Sequence, residues 1–327
     1  MTSEAVVRRA VRFENPPRLP CVFPGIGQSD YFGVAHARRR PEDGFGGRRT
    51  LVDDWGCVWE QWDGASMGEP KGHPIESWDC LTDYAWPDLA APERYLHLPD
   101  VVQGAEGRFV MASVDGIFRR ARFLRGFVNL MQDFYLEPAN VRRLLEAILE
   151  ITLQIVDRYA DVEGIHGISM PEDWGTQTQP FLRTPMFREF FAPIYTRLFD
   201  AVHERGLIMR MHSDGRITDY IESFIEFGLD VIQLEQPLAL GIEEIGRRYR
   251  GRICFEASVD IQKTLPRMDL TAIRKEICEL LAHWATPEGG FIAVCYHGPD
   301  IGVPDRVIRD TLRAFRDVSE SLHIGTP

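Results

Sequence analysis

The chain has 327 residues, 44% hydrophobic and 26% charged, an ordinary globular composition that excludes wholesale disorder and fibrous architectures. Its net charge of −12, from 37 basic against 49 acidic side chains, argues against partners recognised through a nucleic acid backbone or an anionic membrane surface. No window holds the ~18 apolar residues needed to span a bilayer, and the N-terminus has no apolar signal core.

Residues 1–107 read as irregular, rich in Pro, Gly and aromatic residues, with short strands around 19–23 and 57–62 joined by long loops. From 108 the pattern becomes regular. FVMASV (109–114) is an apolar run that predicts a buried strand. Residues 141–160 have the period of an amphipathic helix, with Pro138 suited to its first turn. A strand follows at 164–170, a helix at 186–206 containing Pro193, and a strand at 207–212. Helices at 217–228, 242–249, 270–285 and 304–318 alternate with strands at 229–235, 252–258 and 290–295. Near-continuous apolar strands alternating with helices predict a parallel sheet with helices outside. Neither GxGxxG nor GxxxxGK[ST] occurs, which favours a closed barrel over an open nucleotide-binding sheet. The expected fold is α/β, a single (β/α)8 TIM-type barrel over residues 1–327, with an irregular N-terminal third (1–107) and regular β/α units over 108–320.

In such a barrel the chemistry lies at the C-terminal strand ends. Those ends carry Asp115, Glu172-Asp173-Trp174, His212-Ser213-Asp214, Glu235-Gln236, Glu256 to Asp260, and Cys295-Tyr296-His297. Any one of these is an ordinary polar strand edge; six in succession predict a shared polar site. His212 and His297, with Asp214, Glu235 or Cys295, offer enough ligands for Zn²⁺ with an open position. The alternative is acid–base or hydrogen-bonding histidines without metal. Six scattered cysteines with no CxxC predict free thiols and a cytoplasmic protein. Lysine occurs only at 71, 263 and 275, a poor provision for Schiff-base chemistry. Trp55, Trp59, Phe118, Arg119, Arg120, Arg122, Arg125 and Trp174 fall near the expected mouth, where arginines can bind carboxylates bidentately. The run RRARFLRG also reads as a solvated helix start.

The stretches FENPPRLPCVFPG, VDDWGCVWE, GIFRRARFLRGFVNLMQDFYLEP, PEDWGTQTQPFLRTP, MRMHSDGRITDYIESFIEFG, FEASVDIQKTLP and GGFIAVCYHGPDIGVP, in this order, resemble the uroporphyrinogen decarboxylase superfamily over about residues 12–318. The resemblance implies a (β/α)8 barrel and one of two activities. True decarboxylases remove four acetate carboxyls from uroporphyrinogen without a cofactor, using an arginine-rich RQAGR loop and an aspartate. The other branch holds zinc methyltransferases that move methyl groups to or from a corrinoid protein, with a His-x-Cys motif and a distant third ligand. Here the arginine loop is replaced by GIGQSDYFG, and Asp53 or Asp54 stands for the decarboxylase aspartate in a different local motif. His212-Ser213-Asp214 occupies the His-x-Cys slot and His297 the third, with Cys295 two residues earlier. A His/Asp/His set is harder than a thiolate set. It would hold Zn²⁺, Fe²⁺ or Mn²⁺ and suit an oxygen or nitrogen group of a methyl donor.

The leading expectation is therefore a methyltransferase-like enzyme with a divalent metal, zinc above all, on His212, Asp214, Cys295 and His297. Glu172, Asp173 and Glu235 would be its catalytic carboxylates. Asp54, Asp115, Arg119, Arg122, Trp174 and Gln236 would bind a small methyl donor or a tetrapyrrole. The corrinoid would come on a separate partner protein, since no DxHxxG segment is present. The resemblance leaves room for a homodimer. A cofactor-free uroporphyrinogen decarboxylase, with Arg119, Arg122 and Arg125 on the carboxylates, is the second reading. A non-catalytic tetrapyrrole- or corrinoid-binding protein is the third.

Overall fold

The structure is a computed structural model, and it describes residues 1–37, 49–61, 68–295 and 301–324. The first helix, α1 (Ser3–Val11), is capped by Thr2, whose hydroxyl accepts the Ala5 N–H. It leads into β1 (Cys21–Phe23), the short return strand β2 (Gln28–Ser29) and β3 (Tyr31–Val34). Three antiparallel strands, β4 (Arg49–Val52), β5 (Val58–Gln61) and β6 (Glu69–Gly72), form a separate small sheet. Helices α2 (Cys80–Asp83) and α3 (Leu98–Gln103) return the chain to β7 (Phe109–Ser113). After β7 come α4 (Ile117–Arg125), α5 (Phe127–Leu136) and α6 (Pro138–Ala160). The remaining units are β8 (Gly167–Glu172), α7 (Thr184–Glu204), β9 (Ile208–Ser213), α8 (Ile221–Glu226), β10 (Val231–Leu234), α9 (Pro237–Leu240), α10 (Ile242–Tyr249), β11 (Cys254–Ala257), α11 (Leu270–Trp284), β12 (Phe291–Val294) and α12 (Asp305–Ser321).

Eight of these strands run parallel in the order β1-β12-β11-β10-β9-β8-β7-β3, a TIM-type barrel. The remaining seam, between β1 and β3, is bridged at Asp30. Its N–H donates to the Cys21 carbonyl and its carboxylate accepts the Cys21 N–H, both at 2.8 Å, while its carbonyl accepts the Phe109 N–H. The expected strand at 19–23 is β1. The expected strand at 57–62 is β5, which lies outside the barrel, and the second barrel strand is β3 instead. The YFGV of β3 is short and broken by Gly33, so its alternation is invisible beside the surrounding Gly and Ser residues.

Strand alternation divides the core in two. Phe291, Ala293, Ile168, Met170, Met209 and Met211 face the helices and join the large outer core. Val22, Phe109, Met111, Ile208, Val231, Cys254, Ile292 and Val294 face the lumen, where they meet Val7 and Val11 of α1. Helix α1 therefore closes the N-terminal end of the barrel, and its Ala10 carbonyl accepts the Gly290 N–H just before β12.

A buried arginine helps fasten the small sheet to the barrel, beside Trp59 packed edge-on against Phe123 of α4. Asp53 accepts the N–H groups of Trp55 and Cys57 on one oxygen and Arg120 at 2.6 Å on the other. Arg120 also pairs with Asp115 and lies over the Trp55 ring. The RRARFLRG run is thus largely buried as α4, with Arg120 and Arg125 inside, and is not a solvated helix start. Among the described residues no helix is long and apolar enough to cross a membrane.

Candidate metal centre at the barrel mouth

The inward positions of β9 and β10 stack in layers. Register places Ser169 beside Arg210 beside Val231, and Pro171 beside His212 beside Gln233, with Glu256 next to Gln233. In the lower layer Arg210 donates to both Glu256 oxygens, at 2.5 and 2.8 Å, and to Ser169 at 2.7 Å. Tyr31 donates to the same Glu256 at 3.0 Å. One step up, His212 Nδ1 bonds the Gln233 side-chain oxygen. The Gln233 amide is oriented by its own N–H bond to Glu235 at 2.9 Å, so its oxygen faces the ring. Nδ1 therefore carries the proton, and Nε2 is left with its lone pair.

That nitrogen points at two carboxylates, Asp173 at 3.6 Å and Asp214 at 3.8 Å. Ligand atoms of Asp173, His212 and Asp214 all lie within 4.8 Å of one another. Arg122 holds the far oxygen of Asp173 at 2.8 Å. Asp214 Oδ1 is buried with no hydrogen-bond partner. Two glycines allow this convergence: a Cβ on Gly215, where φ is +80°, would collide with the Gly175 and Thr176 carbonyls, and one on Gly175 would meet the Gly215 backbone. The Arg216 N–H to Thr176 carbonyl bond, 2.7 Å, locks the two loops together.

The electrostatics follow from this crowding. Burial opposes the charged form of His212, but Asp173, Asp214 and Glu235 outweigh it and raise its pKa. Burial pushes Asp173 up, yet His212 and Arg122 bring it below the ordinary value. Burial, reinforced by neighbouring carboxylates, raises Asp214 and Glu235. An imidazole nitrogen with a fixed tautomer, two carboxylates and an unsatisfied buried oxygen together form a suitable set for a divalent cation. All three ligands are hard or borderline donors.

Known proteins place this barrel. The family model for uroporphyrinogen decarboxylase (URO-D) matches residues 107–318. The chain belongs to the uroporphyrinogen decarboxylase family. A solved methyltransferase from Methanosarcina mazei is similar at 14% identity and a TM-score of 0.73, covering 99% of this chain and 99% of that one. A D-psicose 3-epimerase solved in the presence of D-fructose is 15% identical, covering 71% of this chain and 84% of its own, with a TM-score of 0.41. No curated protein sequence matches. The family match begins at 107, so the part it covers carries Asp173, His212 and Asp214, whereas β1, β3 and the small sheet lie before it.

The uroporphyrinogen decarboxylase barrel distributes the expected site residues unevenly. Asp173, His212 and Asp214 come together, with Glu235 behind them and Gln236 bonded to Gln177 of the β8 loop. Glu172 does not join them. It is fully buried, and its oxygens accept the Phe118 and Arg119 N–H groups at the start of α4 and the Tyr195 hydroxyl. Burial raises its pKa to about 7. Trp174, expected against substrate, is wholly enclosed, stacked on Phe118 at 4.0 Å. Alternation explains both: in β8 and its continuation, 169, 171 and 173 face the lumen while 172 and 174 face the helices.

Cys295 departs from the expected ligand set for the same reason. It shares the outer core with Phe291 and Ala293, turned away from the lumen, and burial pushes its thiol up to about 12. His297 lies outside the described residues. Asp115 pairs with Arg119 and Arg120. Asp54 pairs with Arg94 and lines a separate cleft with Ala37, Pro87 and Asp88. Gln233 was absent from the expected residues. Its signal was a polar side chain at an inward position of an otherwise apolar strand.

Proposed function

We propose that this protein is a metal-dependent methyltransferase of the uroporphyrinogen decarboxylase family, moving a methyl group between a small substrate and a corrinoid carried by a separate protein. The observation that carries the reading is His212, held by Gln233 with Nε2 turned to Asp173 and Asp214. A divalent metal, zinc above all, held there by Asp173, His212 and Asp214 would polarise an oxygen or nitrogen of the methyl donor or acceptor. His297 remains the candidate for a further ligand, on the resemblance alone.

Around that centre the chain's own residues have distinct parts. Gln233 fixes the His212 tautomer. Arg122 holds Asp173 so that its other oxygen faces His212. Glu235, whose raised pKa favours the protonated form relative to an ordinary carboxyl, can keep or release a proton beside the donor. Glu172 acts as a positioning residue that fixes α4, and through it Arg119 and Arg122, against the mouth. The decarboxylase reading is less favoured. Arg119, Arg122 and Arg125, which would grip a tetracarboxylate, already pair with Asp115, Asp173 and Asp133.

The test is methylation of a reduced corrinoid by the purified protein, with and without chelator. Chelator-sensitive transfer, together with about one metal per chain that is lost in His212→Ala, is the expected outcome. Conversion of uroporphyrinogen to coproporphyrinogen, indifferent to chelator and to His212→Ala, would overturn the reading. Corrinoid binding without any turnover would favour a binding protein instead.

A further inference from the structure

The barrel lumen is filled unevenly. On the β9–β12 side it holds His212, Gln233, Glu235 and the Arg210–Glu256 pair. On the β1–β3–β7–β8 side it holds a cavity of about 480 Å³, lined among others by Tyr31, Gly33, Met111, Ser113, Ser169 and Arg210. Three of the inward residues there, Gly33, Ser113 and Ser169, are small, and Gly33 is the most telling. Its φ is not in the left-handed region, and a Cβ added to it would meet nothing within 4 Å. Neither backbone conformation nor crowding demands glycine at this position. What glycine provides is empty space.

Arg210 looks like an anion receptor at the floor of this cavity, but Glu256, fully buried, already neutralises it. Of its five N–H donors, two go to Glu256 and one to Ser169, which leaves two. The Ser169 hydroxyl accepts from Arg210 and keeps its own proton to donate, and Ser113 adds another hydroxyl. A carboxylate ligand would place a second anion beside Glu256, and an ammonium ligand would face the guanidinium. An uncharged oxygen acceptor meets donors without either conflict. Arg210 lies on the same face of β9 as His212, a step of roughly 7 Å below it, so the floor of the cavity neighbours the candidate metal centre.

We propose that this cavity is the substrate pocket and that it selects an uncharged, ring-sized molecule bearing ether or hydroxyl oxygens. The donated methyl would then be an O-methyl group, and that last step alone rests on the methyltransferase reading. Three probes of one skeleton test the pocket: 4-methoxybenzyl alcohol, 4-methoxybenzoate and 4-methoxybenzylamine, titrated into the full chain by ligand-detected NMR. The alcohol should bind at least about tenfold more tightly than either charged analogue. Gly33→Leu should weaken it by about tenfold or more through simple occupation of the space, with unchanged metal content and melting midpoint. Ser113→Val, which removes a donor with little change in volume, is the second variant if Gly33→Leu folds poorly. A charged analogue binding equally well, an alcohol indifferent to both variants, or no binding by any probe would overturn the proposal. Metal content and corrinoid methylation would still report separately on the centre above.

Discussion

Arg210 and His212 stand two residues apart on one strand and face the same lumen, yet their surroundings differ in kind. Arg210 is held by a buried carboxylate at 2.5 and 2.8 Å, with a serine and a tyrosine completing the group. His212 faces its carboxylates across 3.6 and 3.8 Å, and one oxygen of Asp214 has no partner at all. In the lower layer the two charges neutralise each other, and removing either would be a defect. The upper layer is complete only with something added. Polar residues at a barrel mouth therefore serve two purposes, and the spacing between partners separates them.

The largest test of this contrast is Glu256→Ala. It strands Arg210 as an unpaired buried charge and should destabilise the fold by about 3–5 kcal/mol, read from the denaturant midpoint. A loss below about 1 kcal/mol would show that water reaches the lower layer and that the two layers are alike. Gln233→Leu comes next. It frees the His212 ring and should weaken metal binding by about 10–100-fold, measured by competition with a chelating indicator. An unchanged affinity would remove Gln233 from the centre.

The smallest effect has the opposite sign. Asp214 has a raised pKa because burial disfavours its charge, so in the metal-free protein its ionised form opposes folding. Asp214→Asn should leave stability unchanged or raise it by at most about 1 kcal/mol at neutral pH, a modest figure because the side chain is 35% exposed. A carboxyl with a raised folded pKa loses stability as pH rises through that pKa. The advantage of the variant should therefore disappear as pH falls into the ordinary carboxyl range, where the native side chain is neutral too. A clear destabilisation at neutral pH would mean that Asp214 is already satisfied.

Much of this was legible in the sequence. The apolar strands and amphipathic helices from Phe109 onward announced the barrel, because each buries one continuous face. His212, Asp173 and Asp214 were legible from their place at strand ends. What failed was parity. Glu172 and Trp174 flank Asp173 in sequence, yet neighbours on an extended chain point to opposite faces. Cys295 falls outside the ligand set for the same reason, since the lumen-facing residues of β12 are Ile292 and Val294. Counting alternation from the apolar residues of each strand would have sorted them. The strand β3 was not legible, because its pairing is set by a partner far along the chain, Phe109, and the bridge at Asp30 joins that distant residue to nearby Cys21.

Helix α1 gives the lumen a stopper. With Val7 and Val11 packed into its N-terminal end, the barrel is closed at that end among the described residues. The opposite end, where His212 lies, is the opening left to a small molecule bound beside Arg210. A macromolecular acceptor that seats its own cofactor over that opening would trap whatever lies beneath it. Turnover would then have a compulsory order, the small molecule entering first and departing only after the large partner lifts away.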